Sequence, residues 1–132
     1  MNLSGYKEIL VIDDCKPVRM ILHRALERAD ASWRVREMET GAQALGDAET
    51  LGNAGLIIAD LEMPGLEASD FLRQLTQHPA LQGKPILVLS GEFPAEIQEA
   101  YGHLRTIRLL QKPCPSHDIV EVARHLLEEG AP

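Results

Sequence analysis

Cysteine is scarce: Cys15 and Cys114 are the only two in 132 residues. Two thiols cannot form the disulfide framework that staples small secreted domains, and they read as unpaired thiols of a reducing compartment. Long apolar runs are missing as well. No stretch approaches the roughly 20 residues of a membrane-spanning helix. The opening Met1-Asn2-Leu3-Ser4-Gly5 has neither the basic start nor the apolar centre of a secretion signal. The expectation is a cytoplasmic protein without membrane contact. Basic residues are in the minority, 13 Lys and Arg against 20 Asp and Glu, for a formal net charge of −7. Nucleic-acid grooves need clustered Lys and Arg, so no direct nucleic-acid contact is expected. Internal repeats, linkers and low-complexity tracts are also absent.

What remains is an ordinary globular balance, 45% hydrophobic and 25% charged, at a length that suits one domain spanning 1–132. Four short apolar runs stand out: Ile9-Leu10-Val11-Ile12, Leu56-Ile57-Ile58-Ala59, Ile86-Leu87-Val88-Leu89 and Ile107 to Leu110. Runs without alternation suit strands buried on both faces of a parallel sheet. Trp33 and Val35 alternate with Arg34 and Arg36, as on an edge strand. Helical patterns separate the runs. The first starts at Pro17 and puts Val18, Ile21, Leu22, Ala25 and Ala29 on one face, with Arg19, His23, Glu27 and Arg28 away from it. A second covers Gly41 to about Glu49. A third follows the Pro64-Gly65 turn, with Phe71, Leu72 and Leu75 inward. A fourth carries Phe93, Ile97, Ala100, Tyr101 and Leu104 on its face, and a fifth Ile119, Ala123, Leu126 and Leu127, ending before Gly130. Five βα units with right-handed crossovers predict an α/β fold. It is a (βα)5 doubly wound, five-stranded parallel sheet in the order 2-1-3-4-5.

In such a sheet the loops leaving the carboxyl ends of the strands share one edge, where ligands bind. The runs lead into Asp13-Asp14, Asp60, Ser90 and, through Gln111, Lys112-Pro113. Three carboxylates, a hydroxyl and an ammonium therefore converge. Two like charges about 4 Å apart repel by roughly 4 kcal/mol at an effective dielectric of about 20. A hard divalent cation relieves this, and Mg²⁺ uses one or two carboxylates while accepting phosphate oxygens. Asp14 and Asp60 are the expected direct ligands, Asp13 acts through a water, and the backbone carbonyl of Glu62 completes the shell. Asp60 can also attack phosphorus to give an aspartyl-phosphate. Such transfer depends on positioning and on neutralising the equatorial oxygens, which Mg²⁺, Lys112 and Ser90 can do. Pro113 fixes the exit of the chain, with the isomer of its peptide bond left open.

Each residue has a plainer reading alone. An acidic pair suits a helix N-terminus, an Asp before a turn caps backbone N–H groups, and a Ser or Lys can simply meet solvent. Four such positions at four strand ends favour the site. The five histidines, His23, His78, His103, His117 and His125, show no metal-ligand spacing and no catalytic role is expected of them.

These motifs resemble the receiver domain of bacterial two-component response regulators, over about residues 7 to 129. They are Asp13-Asp14, Asp60-Leu61-Glu62-Met63-Pro64-Gly65, Leu89-Ser90, Lys112-Pro113, and Thr40-Gly41-Ala42-Gln43-Ala44-Leu45 entering the second helix. The resemblance implies a flavodoxin-like fold and a Mg²⁺-dependent phosphoprotein. Asp60 would accept phosphate from a histidine kinase or histidine phosphotransfer protein. The output would be altered binding of a downstream protein partner or of an output domain. Such a domain is a phosphoacceptor, not an enzyme for a foreign substrate, although it catalyses its own phosphorylation and dephosphorylation. No output domain follows within the chain, which is consistent with a stand-alone receiver or with a piece of a longer regulator or hybrid kinase.

Three positions depart from the family pattern. Leu109 stands where Tyr or Phe is usual, so the Gly91-Glu92-Phe93 loop would have to transmit movement of Ser90. The stretch Gly102 to Thr106 lacks the usual Gly-Ala approach to the fifth strand. Glu62, two residues past the phosphoacceptor, brings a carboxylate that can face the phosphoryl group. Leu109 favours one alternative, an adaptor of receiver fold that works without phosphorylation. A phosphohydrolase with an Asp nucleophile is the other. Such enzymes carry Asp-x-Asp after one strand, whereas Asp60 is followed by Leu61-Glu62.

Overall fold

The computed structural model describes residues 5–65 and 67–129. Met1 to Ser4, read above for a secretion signal, and Gly130, read as following the last helix, lie outside these. Five strands, β1 (Lys7–Ile12), β2 (Trp33–Met38), β3 (Ala54–Asp60), β4 (Ile86–Ser90) and β5 (Ile107–Gln111), form one sheet in the order β2-β1-β3-β4-β5. Every pairing is parallel. Helices α1 (Lys16–Ala29), α2 (Gly41–Leu45), α3 (Ala48–Asn53), α4 (Ala68–Gln77), α5 (Ala95–Tyr101) and α6 (Ser116–Glu129) alternate with the strands, and a 3-10 turn spans Pro79–Leu81.

The unbroken apolar runs follow from burial on both faces. Side chains alternate between faces along a strand. Leu10, Ile12, Ile57, Ala59, Ile86 and Val88 therefore enter one core layer with Phe71, Leu72 and Leu75 of α4. Ile9, Val11, Leu56, Ile58, Leu87 and Leu89 enter the other, against Leu22 and Leu26 of α1 and Ala123, Leu126 and Leu127 of α6. Strand β2 lies at the edge as expected, with Trp33 and Val35 buried and Arg34 and Arg36 exposed. The Arg124 guanidinium of α6 lies 5.0 Å from the centroid of the Trp33 ring, a favourable cation–π placement.

Three helices differ from the sequence reading. On α1, Leu22 and Leu26 are buried, while Val18 and Ile21 are 40% and 58% exposed. Two apolar stripes overlap on this helix, and the sheet meets the one that contains Leu26. The second helical segment is two helices. Gly46 caps the end of α2, and Asp47 starts α3 by accepting from the Thr50 N–H (3.0 Å) and hydroxyl (2.8 Å). Such a cap contributes about 1 kcal/mol. The fourth segment is also shorter. Helix α5 runs from Pro94 as N-cap to Gly102 as C-cap, so Phe93 and Leu104 lie outside it, and only Ile97 of the expected face is buried.

Truncation tests which face of α1 carries stability. Leu26→Ala should cost about 2–5 kcal/mol, the usual range for a buried leucine, whereas Ile21→Ala should cost less than about 1 kcal/mol. Urea denaturation of the two variants checks this, and equal losses would contradict the packing.

Candidate functional site

The parallel registers build the site. Ile12 pairs with Ala59, so the next residues, Asp13 and Asp60, leave adjacent strands side by side. Asp60 pairs with Leu89, and Ser90 pairs with Gln111, one residue before Lys112. Asp13, Asp60 and Ser90 are 4%, 5% and 4% exposed, whereas Asp14 is exposed. Asp13, Asp14 and Asp60 each offer a carboxylate oxygen, all within 4.8 Å of one another. The sequence reading of these positions as one cluster agrees with this placement.

Backbone and side-chain contacts orient the acids. Asp13 Oδ1 accepts from the Cys15 N–H at 2.9 Å, and its carbonyl accepts from Arg19 Nη1 at 2.6 Å. Arg19 Nε in turn donates to Glu37 Oε1 at 3.1 Å. Asp60 Oδ1 accepts from the Glu62 N–H at 2.9 Å and from Lys112 Nζ at 3.2 Å. Lys112 is tied back through its N–H, which donates to the Ser90 carbonyl at 2.8 Å. The Lys112–Pro113 peptide bond is cis.

Electrostatics follow from this crowding. Burial pushes the Asp13 carboxyl above its ordinary value; the Cys15 N–H opposes the rise and the charge of Asp60 adds to it. Burial alone would lower the Lys112 ammonium, but its hydrogen bond to Asp60 and the charges of Asp60, Glu62 and Asp13 raise it overall, so it stays charged. All donors in the cluster are oxygens, two of them on buried acids, which is the set a hard divalent cation requires. The residues fit Mg²⁺.

Sequence reasoning missed how the Glu62 side chain is held. It is not free: Oε1 accepts from the Gly91 N–H and lies 3.2 Å from Ser90 Oγ, and Oε2 lies 3.8 Å from Lys112 Nζ. The Gly91 N–H holds the Glu62 carboxyl below its ordinary value, with Lys112 and Ser90 adding to the effect. A Cβ at Gly91 would lie 2.8 Å from Glu62 Oε1, a contact that a small shift of the flexible carboxylate end relieves. The signal was present as Gly91 directly after Ser90, but nothing local links it to Glu62. Arg19 and His23, assigned to the solvent side of the first helix, also have partners. His23 Nδ1 lies 2.8 Å from Glu37 and Nε2 lies 3.2 Å from Glu27. The two cysteines are free thiols, as read. Leu109 is half-buried against the α4 side of the core, where Phe93 and Tyr101 also pack.

A family model for the response regulator receiver domain matches residues 9–124. The chain is 32% identical over 131 residues to the transcriptional regulatory protein ResD of Bacillus subtilis, covering 99% of this chain and 52% of that protein. It is 28% identical over 123 residues to the C4-dicarboxylate transport transcriptional regulatory protein DctD of Pseudomonas aeruginosa, covering 92% of this chain and 25% of that protein. The chain thus spans between a quarter and about half of the length of these relatives. Among solved structures, the chemotaxis protein CheY4 of Vibrio cholerae matches with a TM-score of 0.76 at 21% identity, over 92% of this chain and 98% of that one. A response regulator receiver protein from Sinorhizobium medicae matches with a TM-score of 0.76 at 19% identity, over 98% and 99%. At these identities the structures speak to the fold, a flavodoxin-like sheet in the order 2-1-3-4-5 with helices on both faces.

The carboxylate crowding has a stability consequence. Because the folded protein raises Asp13 above its ordinary 3.8, the stability linked to its protonated form is present below that pH. It is lost as pH rises through the elevated folded value. Asp13→Asn removes the buried charge. Without divalent ions it should stabilise the protein at pH 7, and the gap should close in acid. Denaturation in EDTA at the two pH values checks this; a less stable variant at pH 7 would contradict it.

Proposed function

The chain belongs to the response regulator receiver domains, the phosphoacceptor signalling modules of two-component systems, and on that premise we propose that Asp60 takes the phosphoryl group. One observation carries this reading. Asp60 is a nearly buried carboxylate with an ammonium 3.2 Å away on one side and two further carboxylates on the other. Oδ1 is engaged by Glu62 N–H and Lys112, so the second oxygen is the nucleophile. It attacks phosphorus, the bond from phosphorus to the donor's leaving group breaks, and the leaving group departs with the electron pair. Asp60 then carries a mixed anhydride.

Asp13, Asp14 and Asp60 would hold Mg²⁺, with Asp14 and Asp60 as direct ligands, Asp13 through a water and the Glu62 carbonyl as a further donor. When bound, the ion supplies positive charge beside a phosphoryl oxygen. Lys112 neutralises a second oxygen and the Ser90 hydroxyl donates to a third. Ser90 Oγ now donates to the Glu92 carbonyl at 2.7 Å, so engaging a phosphoryl group redirects its single proton. That exchange links Asp60 to the loop before α5. With Leu109 in the place of an aromatic residue, this loop and Phe93 carry the change to the surface.

The unit 1–132 acts as one receiver domain in the cytoplasm; no described helix is long and apolar enough to cross a membrane. Its donor is a histidine kinase or histidine phosphotransfer protein. Its output is altered binding of a protein partner or of an output domain, without direct contact with nucleic acid. It turns over no foreign substrate.

Incubation with acetyl phosphate and Mg²⁺ should add one phosphate, read by intact mass, and Asp60→Asn should abolish the gain. Labelling that persists in the variant would refute the assignment. In a Mg²⁺ titration, Asp14→Ala should bind at least about tenfold more weakly, since one direct carboxylate is lost; unchanged affinity would place the ion elsewhere.

A further inference from the structure

We propose that the Glu62 carboxylate is a built-in competitor that occupies the phosphoryl-oxygen cradle of the unphosphorylated protein and must be evicted when Asp60 is phosphorylated. Groups from two parts of the fold converge on this one side chain: at the end of β4 the Gly91 N–H donates to Oε1 with Ser90 Oγ 3.2 Å from the same oxygen, and past β5 the Lys112 ammonium lies 3.8 Å from Oε2. Two of them, Ser90 and Lys112, are the groups assigned above to phosphoryl oxygens, so the inference rests on that reading.

The side chain of Glu62 is 53% exposed. An exposed glutamate gains little from a surface ion pair and is normally left to solvent. Its capture therefore reflects a cradle organised for an anion, with a backbone amide and an ammonium turned to one side chain and a hydroxyl beside them. Gly91 belongs to the same device through its N–H, which donates to Glu62 Oε1.

Two anions crowded beside Ser90 and Lys112 repel one another, so a phosphoryl group there displaces the Glu62 carboxylate. Phosphorylation therefore exchanges one anion for another. Glu62 releases Gly91 and Lys112, leaves the side of Ser90 and turns into solvent. The reaction at Asp60 is itself unchanged. What changes is its starting point, because the donors must first be freed. An effector acts on such an equilibrium only through its different contacts with the two states, and here the difference is the occupant of the cradle. The loop from Gly91 to Phe93 then differs less between the two states than it would if the cradle began empty.

The test compares the whole chain with Glu62→Gln, Glu62→Ala and, as a charge control, Glu39→Gln. Glu39 is exposed and follows β2 at the same sheet edge. Two measurements are made. In the unphosphorylated proteins, the Gly91 amide proton resonance should move upfield in both Glu62 variants and stay in place in the control. With acetyl phosphate and Mg²⁺, the initial rate of phosphate gain should rise about tenfold in Glu62→Ala, the scale of one charge-assisted hydrogen bond. Glu62→Gln should rise less, because its amide oxygen can still accept from Gly91, and Glu39→Gln should change less than about twofold. An unmoved Gly91 resonance, a rate that is unchanged or slower in Glu62→Ala, or an equal rise in the control would overturn the competition while leaving Asp60 as acceptor. Absence of phosphate gain in every protein would overturn the acceptor reading, and the competition with it.

Discussion

Repulsion among carboxylates at the end of an apolar sheet is the constraint around which this molecule is arranged. Strands β1 and β3 pair in parallel, and the pairing delivers Asp13 and Asp60 to neighbouring positions just where the hydrophobic layers stop. Neither acid can retreat from the other without breaking register, because Ile9 to Ile12 and Leu56 to Ala59 are locked into both core layers. The repulsion is therefore stored in the fold. It can be relieved by a proton, by the Lys112 ammonium or by a divalent cation.

Each of these reliefs leaves a trace in the structure. Asp13 is displaced toward its protonated form. Lys112 reaches Asp60 from the far side of β4 and is kept charged by it. The three-oxygen cluster of Asp13, Asp14 and Asp60 would suit a hard cation. A phosphoryl group brings further negative charge to the same place, and so needs the cation and the ammonium together. Function and destabilisation share one cause, as is common at sites whose charges are held close by a rigid scaffold.

Glu62 places a fourth carboxylate at this edge, and its position shows how the site balances charge on the side away from the acids. It does not join the Asp13, Asp14 and Asp60 cluster. It turns to the donors of the β4–α5 loop and to Lys112. Lys112 thus lies between two anions, Asp60 Oδ1 at 3.2 Å and Glu62 Oε2 at 3.8 Å. The loop that follows Ser90 is braced from a second direction by Gln111, whose Nε2 donates to the Gly91 carbonyl at 3.1 Å.

The sequence by itself determined the sheet, its order and the meeting of Asp13, Asp14, Asp60, Ser90 and Lys112. The reason is local: unbroken apolar runs identify strands buried on both faces, and whatever follows such a run in a parallel sheet emerges at one edge. Tertiary structure decided what periodicity leaves ambiguous. Val18, Ile21 and Leu22 share a stripe, yet of these only Leu22 joins Leu26 against the sheet, because helix rotation is settled by the partner surface. The break at Gly46-Asp47 depends on two caps outweighing the continuation of one helix. The Glu62 contacts join residues 28 and 29 positions apart, and no local pattern encodes them. Three-dimensional packing alone brings the β3–α4 and β4–α5 loops close enough for a side chain to cross between them.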